Sequence, residues 1–114
     1  MKNPGLGAIL KQAQKLQEDI GKIKQELANM KVTGSSGGGM VVVTANGRQQ
    51  ILDIKIDREV ITSDDIEMLE DLIVAAVNQA LERSSELANE QMSKVTGGIL
   101  SNIPDGLKIP GFGL

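Results

Sequence analysis

The chain has 114 residues, 40% apolar and 24% charged, with a formal net charge of −3, the balance of a single soluble globular domain or of half of something built from two copies. It contains no Cys, His, Trp or Tyr, and Phe112 is its one aromatic residue. These absences exclude zinc fingers, disulfides, thiol nucleophiles, imidazole bases and aromatic platforms for single-stranded nucleic acid.

The first third carries the clearest pattern. Leu6, Ile9, Ala13, Leu16, Ile20, Ile23, Leu27 and Met30 alternate spacings of three and four. This is a heptad seam, the mark of a helix that packs along a partner helix. Gln, Lys and Glu fill most positions between them, and Pro4 suits a helix start. Gly7 and Gly21 lie outside the seam.

The period changes after Lys31. Val32-Thr33 reads as a short strand and residues 34–39, Gly-Ser-Ser-Gly-Gly-Gly, as a flexible connector. Met40 to Ala45 reads as a strand, Asn46-Gly47 as a two-residue type I′ turn, and Arg48 to Ile56 as the antiparallel return. That turn sets Val41 opposite Leu52 and Val43 opposite Gln50. Val41, Val43, Leu52, Ile54 and Ile56 then share one apolar face. Residues 57–63 read as a connector. Asp64 with Glu67 resembles a capping box, opening a helix from Asp65 to about Thr96 that Gly97-Gly98 stops. Its first half has a broad stripe, Ile66, Leu69, Leu72, Ile73, Ala76, Val77, Ala80 and Leu81, which must meet more than one neighbour. Its second half thins to Leu87, Ala88, Met92 and Val95. The tail, with Pro104, Gly106, Pro110 and Gly111, is not helical. The domain spans residues 1–114, with 1–4 and about 99–114 as flexible ends.

The class is α+β: a helix, an antiparallel hairpin of two or three strands, then a long helix. The two helices run antiparallel as an arm that protrudes from the sheet. So thin a unit cannot cover both apolar faces from within one chain. A homodimer is expected, jointed at the central sheet through Val41, Val43, Leu52, Ile54, Ile56, Leu69, Leu72, Ile73 and Ala76.

Charge is sorted along the chain. Residues 1–31 carry six Lys against three acids, and residues 64–90 carry eight acids against Arg83. Antiparallel packing collects Lys2, Lys11, Lys15 and Lys94 at the arm tip and leaves the acids 64–71 at its root. At ~30 Å or more, several Debye lengths of ~8 Å, the root's field is screened from the tip. Lys11 and Lys15 form a like-charge i, i+4 pair with no acid before Glu18. The lysines read as phosphate contacts or as the solvated face of a long helix. Gln12, Gln14, Gln17, Asn89 and Gln91 add donors for phosphate or base edges. The glycine-rich loop lacks the Lys-Ser/Thr of a P-loop, and the acids lack EF-hand spacing. No catalytic group, metal, cofactor or small-molecule substrate is expected. The longest apolar run, Leu72 to Val77, is six residues, and Met1-Lys2 leads into no apolar segment. No membrane partner is therefore expected.

Lys11-Gln12-Ala13-Gln14, Val32-Thr33-Gly34 and Ser36-Gly37-Gly38-Gly39 are followed by Val41-x-Val43-Thr44-x-Asn46-Gly47. Glu67-Met68-Leu69-Glu70-Asp71-Leu72, Ala75-Ala76-x-Asn78-x-Ala80 and a Pro110-Gly111-Phe112 tail complete the set. In this order, over essentially the whole chain, these residues resemble the YbaB/EbfC nucleoid-associated proteins of bacteria. The resemblance implies a tweezer-shaped homodimer in the cytoplasm that grips double-stranded DNA of the nucleoid with its arms. It also implies a bearing on chromosome organisation or gene regulation. Mapped here, it singles out Lys11, Gln12 and Lys15 on the first helix and residues 92–96 on the second. Another reading of the same elements is a prefoldin-like chaperone, or a protein-interaction adaptor, holding clients through Leu6, Ile9, Ile99, Leu100 and Ile103.

Overall fold

The computed structural model describes residues 4–62 and 64–100. The order is α1 (Pro4–Asn29), β1 (Lys31–Ser36), β2 (Val41–Asn46), β3 (Ile51–Ile56), α2 (Arg58–Ile61) and α3 (Ile66–Leu100). The three strands form one antiparallel sheet in the order β1-β2-β3. The molecule is elongated, 78 × 27 × 16 Å.

The core lies where α3 crosses the sheet. Val41, Val43, Ala45, Ala76 and Ala80 are fully buried there, with Val32, Ile56, Leu72, Ile73 and Val77 packed around them. Small side chains at Ala76 and Ala80 let β1 approach the α3 backbone. A Cβ on Gly34 would overlap Ala76 O and Ala80 N and lie 3.0 Å from Ala80 Cα. This close approach explains why Gly34-Ser35-Ser36, expected in a connector, completes β1. Strand pairing continues through Ser36, opposite Val41, and the Ser36 hydroxyl donates to Leu72 O. The remaining glycines make an ordered turn rather than a loose one. Gly37, Gly38 and Gly39 take φ of +61°, +67° and +95°, conformations that residues with a side chain rarely adopt.

The hairpin register differs from the expected one. Val41 pairs with Ile56 and Val43 with Ile54, and a bulge falls between Thr44 and Ala45, which pairs with Ile51. Type I′ needs positive φ at both turn residues, and neither Asn46 nor Gly47 has it; Gln49 does, at φ +60°. Four residues, 47–50, make the connection, closed by Asn46 N–H donating to Gln50 O at 3.0 Å. Asn46 is drawn inward instead, its Oδ1 accepting from Arg48 N at 2.9 Å and Gln50 N at 3.1 Å. The apolar face survives the shift in Val41, Val43, Ile54 and Ile56, whereas Leu52 falls at the bulge.

Two helix ends also differ. Asp65, not Asp64, accepts from the first turn of α3, at Met68 N, 2.9 Å. At the far end α3 runs through Gly97-Gly98 to Leu100. Glycine in a helix costs only ~1 kcal/mol relative to Ala and does not by itself end one. Within the expected connector, Asp57 caps the short α2, accepting from Glu59 N at 2.9 Å, and Val60 is buried. The expected flexible ends fall largely outside the described residues.

Candidate nucleic-acid interface

The arm begins at a joint between the C-terminus of α1, the hairpin loop and the middle of α3. Helix ends leave carbonyls without intrahelical donors, and the loop supplies them. Gly47 N–H donates to Leu27 O at 2.8 Å and to Met30 O at 3.1 Å, and Asn46 Nδ2 donates to Ala28 O at 3.4 Å. A Cβ on Gly47 would lie 2.7 Å from Leu27 Cδ2 and 2.9 Å from Leu27 O. Glycine is needed here for space, not for a turn conformation. On the other side Ser84, fully buried, donates its hydroxyl to Asn46 O at 2.7 Å and accepts from Gln49 N at 2.9 Å. Ala76, Ala80 and Ser84 share one face at i, i+4, i+8. Ser84 is the polar interruption in that stripe and marks where α3 leaves the sheet.

Beyond the joint both helices project away from the sheet. Half-buried Leu16, Ile20 and Ile23 of α1, with buried Leu27, and half-buried Leu87, Ala88, Gln91, Met92 and Val95 of α3 form the seam between them. From Leu27 back to Pro4, α1 extends ~34 Å, and from Ser84 to Leu100, α3 extends ~24 Å, at 1.5 Å per residue. The first turns of α1 therefore reach beyond the described part of α3, and Leu6, Ile9 and Leu10 are 58–62% exposed.

Lys11, Gln12 and Lys15 lie on the exposed surface of α1, and Lys94 on that of α3. Lys2 lies outside the described residues. At ~100° per residue, Lys11, Lys15 and Lys22 fall within ~40° of one another on the face roughly opposite the seam. Glu18 interrupts that row. In the segment 92–95, Met92 and Val95 turn toward the seam, leaving Ser93 and Lys94 exposed. The outer arm, residues 4–17 and 88–100, carries Lys11, Lys15 and Lys94 against Glu90.

The acids lie at the other end. α3 enters the sheet at Ser36 and Leu72 and leaves it at Asn46 and Ser84. Exposed Asp64, Asp65, Glu67, Glu70 and Asp71 precede its entry. From Asp71 to Lys94 the helix rises ~35 Å, more than four Debye lengths of ~8 Å. The arm tip is electrostatically separate from the acidic root.

The expected interface residues divide. Val41, Val43 and Ala76, expected at the joint between copies, are fully buried within the one chain. They are consumed by packing α3 on the sheet. Ile56, Leu69, Leu72 and Ile73 are half-buried, while Leu52 and Ile54 are 49% and 42% exposed. Ile51, Ile61, Ile66, Met68 and Val74 are further exposed apolar residues. The two sheet edges also differ. On β1, Arg83 donates to Thr33 O at 2.8 Å and Gln79 accepts from Ser35 N at 2.7 Å, whereas residues 51–55 of β3 are all exposed.

Among the described residues no group of three or more acidic side chains could hold a metal ion, and no helix is long and apolar enough to cross a membrane. Residues 1–99 match the YbaB/EbfC DNA-binding family. The chain is 52% identical over 103 residues to a nucleoid-associated protein of Syntrophobacter fumaroxidans, covering 90% of this chain and 91% of that one. It is 55% identical over 90 residues to a nucleoid-associated protein of Thermodesulfovibrio yellowstonii, 79% of each chain. Its fold is similar to that of an uncharacterized Helicobacter pylori protein, with TM-score 0.60 and 23% identity over 88% of this chain and 98% of that chain.

Proposed function

Because the chain belongs to the YbaB/EbfC DNA-binding family, we propose that it is a homodimer that grips double-stranded DNA between basic arm tips. In this reading it serves chromosome organisation or gene regulation in the nucleoid, in the cytoplasm. The observation that carries this reading is the exposed pair Lys11 and Lys15 on the outer arm, with Lys94 across the seam, far from the acidic root. Each lysine neutralises one phosphate and releases one counterion. Few side chains at the tip can read base edges, so selectivity comes from the shape of the duplex. Dimerisation is supported by the uncovered face of β3, where Ile51, Leu52 and Ile54 are exposed. Catalysis has no part in the proposal.

A titration of duplex DNA across a salt series tests it. Two tips with three or four phosphates each give a fall of log K with log[salt] of about 5–7. A flat response refutes the phosphate reading. Client capture by apolar tips would survive high salt and fail when Leu6 and Ile9 become polar; the relatives above are named as nucleoid-associated proteins, not chaperones.

A further inference from the structure

Asn46 is the one Asn in the chain that is followed by Gly. In such a pair the glycine nitrogen, unshielded by any side chain, can attack the asparagine side chain. We propose that Asn46-Gly47 is a latent deamidation site, held inactive by the arm joint and released when that joint opens.

The chemistry needs no enzyme. Hydroxide takes the Gly47 N–H proton, the nitrogen attacks Asn46 Cγ, and Nδ2 leaves as ammonia, closing a five-membered succinimide. Water then opens either ring carbonyl. One product is aspartate; the other is isoaspartate, in which the main chain runs through the former side chain.

In the folded chain both reacting groups are tied down. The nucleophilic nitrogen is committed to Leu27 O at 2.8 Å and Met30 O at 3.1 Å. The electrophilic amide is held by four further bonds. Its Oδ1 accepts from Arg48 N and Gln50 N, and its Nδ2 donates to Gln50 Oε1 at 2.7 Å and Ala28 O at 3.4 Å. Asn46 is 3% exposed, which also keeps hydroxide and water away. Ring closure requires Gly47 N to give up its bonds to Leu27 O and Met30 O and the Asn46 amide to be released from its own partners. The first movement detaches the hairpin from Leu27 and Met30 at the end of α1; the second breaks the amide's bond to Ala28 O and its bonds within the loop.

The products do not fit the closed joint. Aspartate places an oxygen where Nδ2 stands, against two acceptors, Gln50 Oε1 and Ala28 O. Isoaspartate adds a methylene to the main chain beside the nitrogen that caps α1. Either change leaves the arm less firmly set on the sheet. The site thus acts as a one-way record of the time the joint has spent open.

The test follows intact mass and peptide maps of the full-length chain at mildly alkaline pH, in native buffer and in concentrated guanidinium chloride. Modification at Asn46 is expected at least about tenfold more slowly in the native chain, because it proceeds only through local opening. Ser84→Ala removes the two bonds from α3 to the loop while leaving both reacting residues in place, and is expected to fall between the two rates. If circular dichroism shows that this variant does not fold, Gln50→Ala, which removes a partner of Nδ2, takes its place. Equal rates in buffer and guanidinium overturn the proposal, as does an absence of modification at Asn46 in both. A folded joint variant no faster than the native chain overturns the joint as its trigger.

Discussion

Replacing Gly34 by Ala adds one methyl group at the tightest contact between sheet and helix. The new carbon would overlap Ala76 O and Ala80 N and stand 3.0 Å from Ala80 Cα. These are backbone atoms of α3, so no side chain can rotate away. Relief requires β1 and α3 to part by roughly 1 Å, and a gap of that size forfeits up to about half of each dispersion contact across it. The contacts at stake include the buried cluster Val41, Val43, Ala45, Ala76 and Ala80. The bonds from Ser36 to Leu72, Ser35 to Gln79 and Arg83 to Thr33 span the same gap. Overpacking costs ~1–3 kcal/mol, and contact with a rigid backbone puts this case near ~3 kcal/mol. For a domain of this size, that lowers the melting temperature by roughly 10–25 °C. Thermal unfolding followed by circular dichroism, at fixed protein concentration, reads it directly. A melting temperature unchanged from the parent would refute the close-approach argument and with it the explanation of why β1 extends through Ser36.

Lys11→Gln is expected to reduce the magnitude of the salt slope for duplex DNA by about 2, one phosphate contact per arm of the dimer, measured by fluorescence anisotropy. Gly21→Ala should stabilise the chain by up to ~1 kcal/mol, because nothing lies within 4 Å of the position a Cβ would take; a denaturant midpoint that does not rise contradicts this. Leu52→Asp combined with Ile54→Asp should yield a monomer in sedimentation equilibrium with its helical circular dichroism retained, since both side chains are exposed on the single chain. A dimer that survives these changes places the interface elsewhere.

The helices and strand faces were legible in the sequence because each rests on a repeating pattern of apolar residues. The alternation from Leu16 to Met30 marks the α1 seam, and the stripe from Leu72 to Ala80 marks the face of α3 that meets the sheet. What was not legible depends on contacts between distant segments. Asn46-Gly47 reads as a hairpin turn when only neighbours are considered. The pair is instead committed to the end of α1, and the register shifts accordingly. Gly34 reads as loop, yet its place in β1 follows from Ala76 and Ala80, more than forty residues away. Periodicity marks Val41, Val43 and Ala76 as apolar positions to be covered but does not say which neighbour covers them; here α3 and the sheet do. For Lys11, Lys15 and Lys94, antiparallel packing sets the position along the rod, and all three side chains are exposed.

The unequal edges of the sheet bear on assembly. A strand border that exposes backbone donors and acceptors invites indefinite recruitment of further chains. Here Arg83 and Gln79 occupy two outward groups on the border formed by β1, Thr33 O and Ser35 N, whereas residues 51–55 of β3 are exposed. In the proposed dimer, joined through β3, each molecule turns outward a β1 border on which two groups are already taken, which favours a closed pair over an open filament.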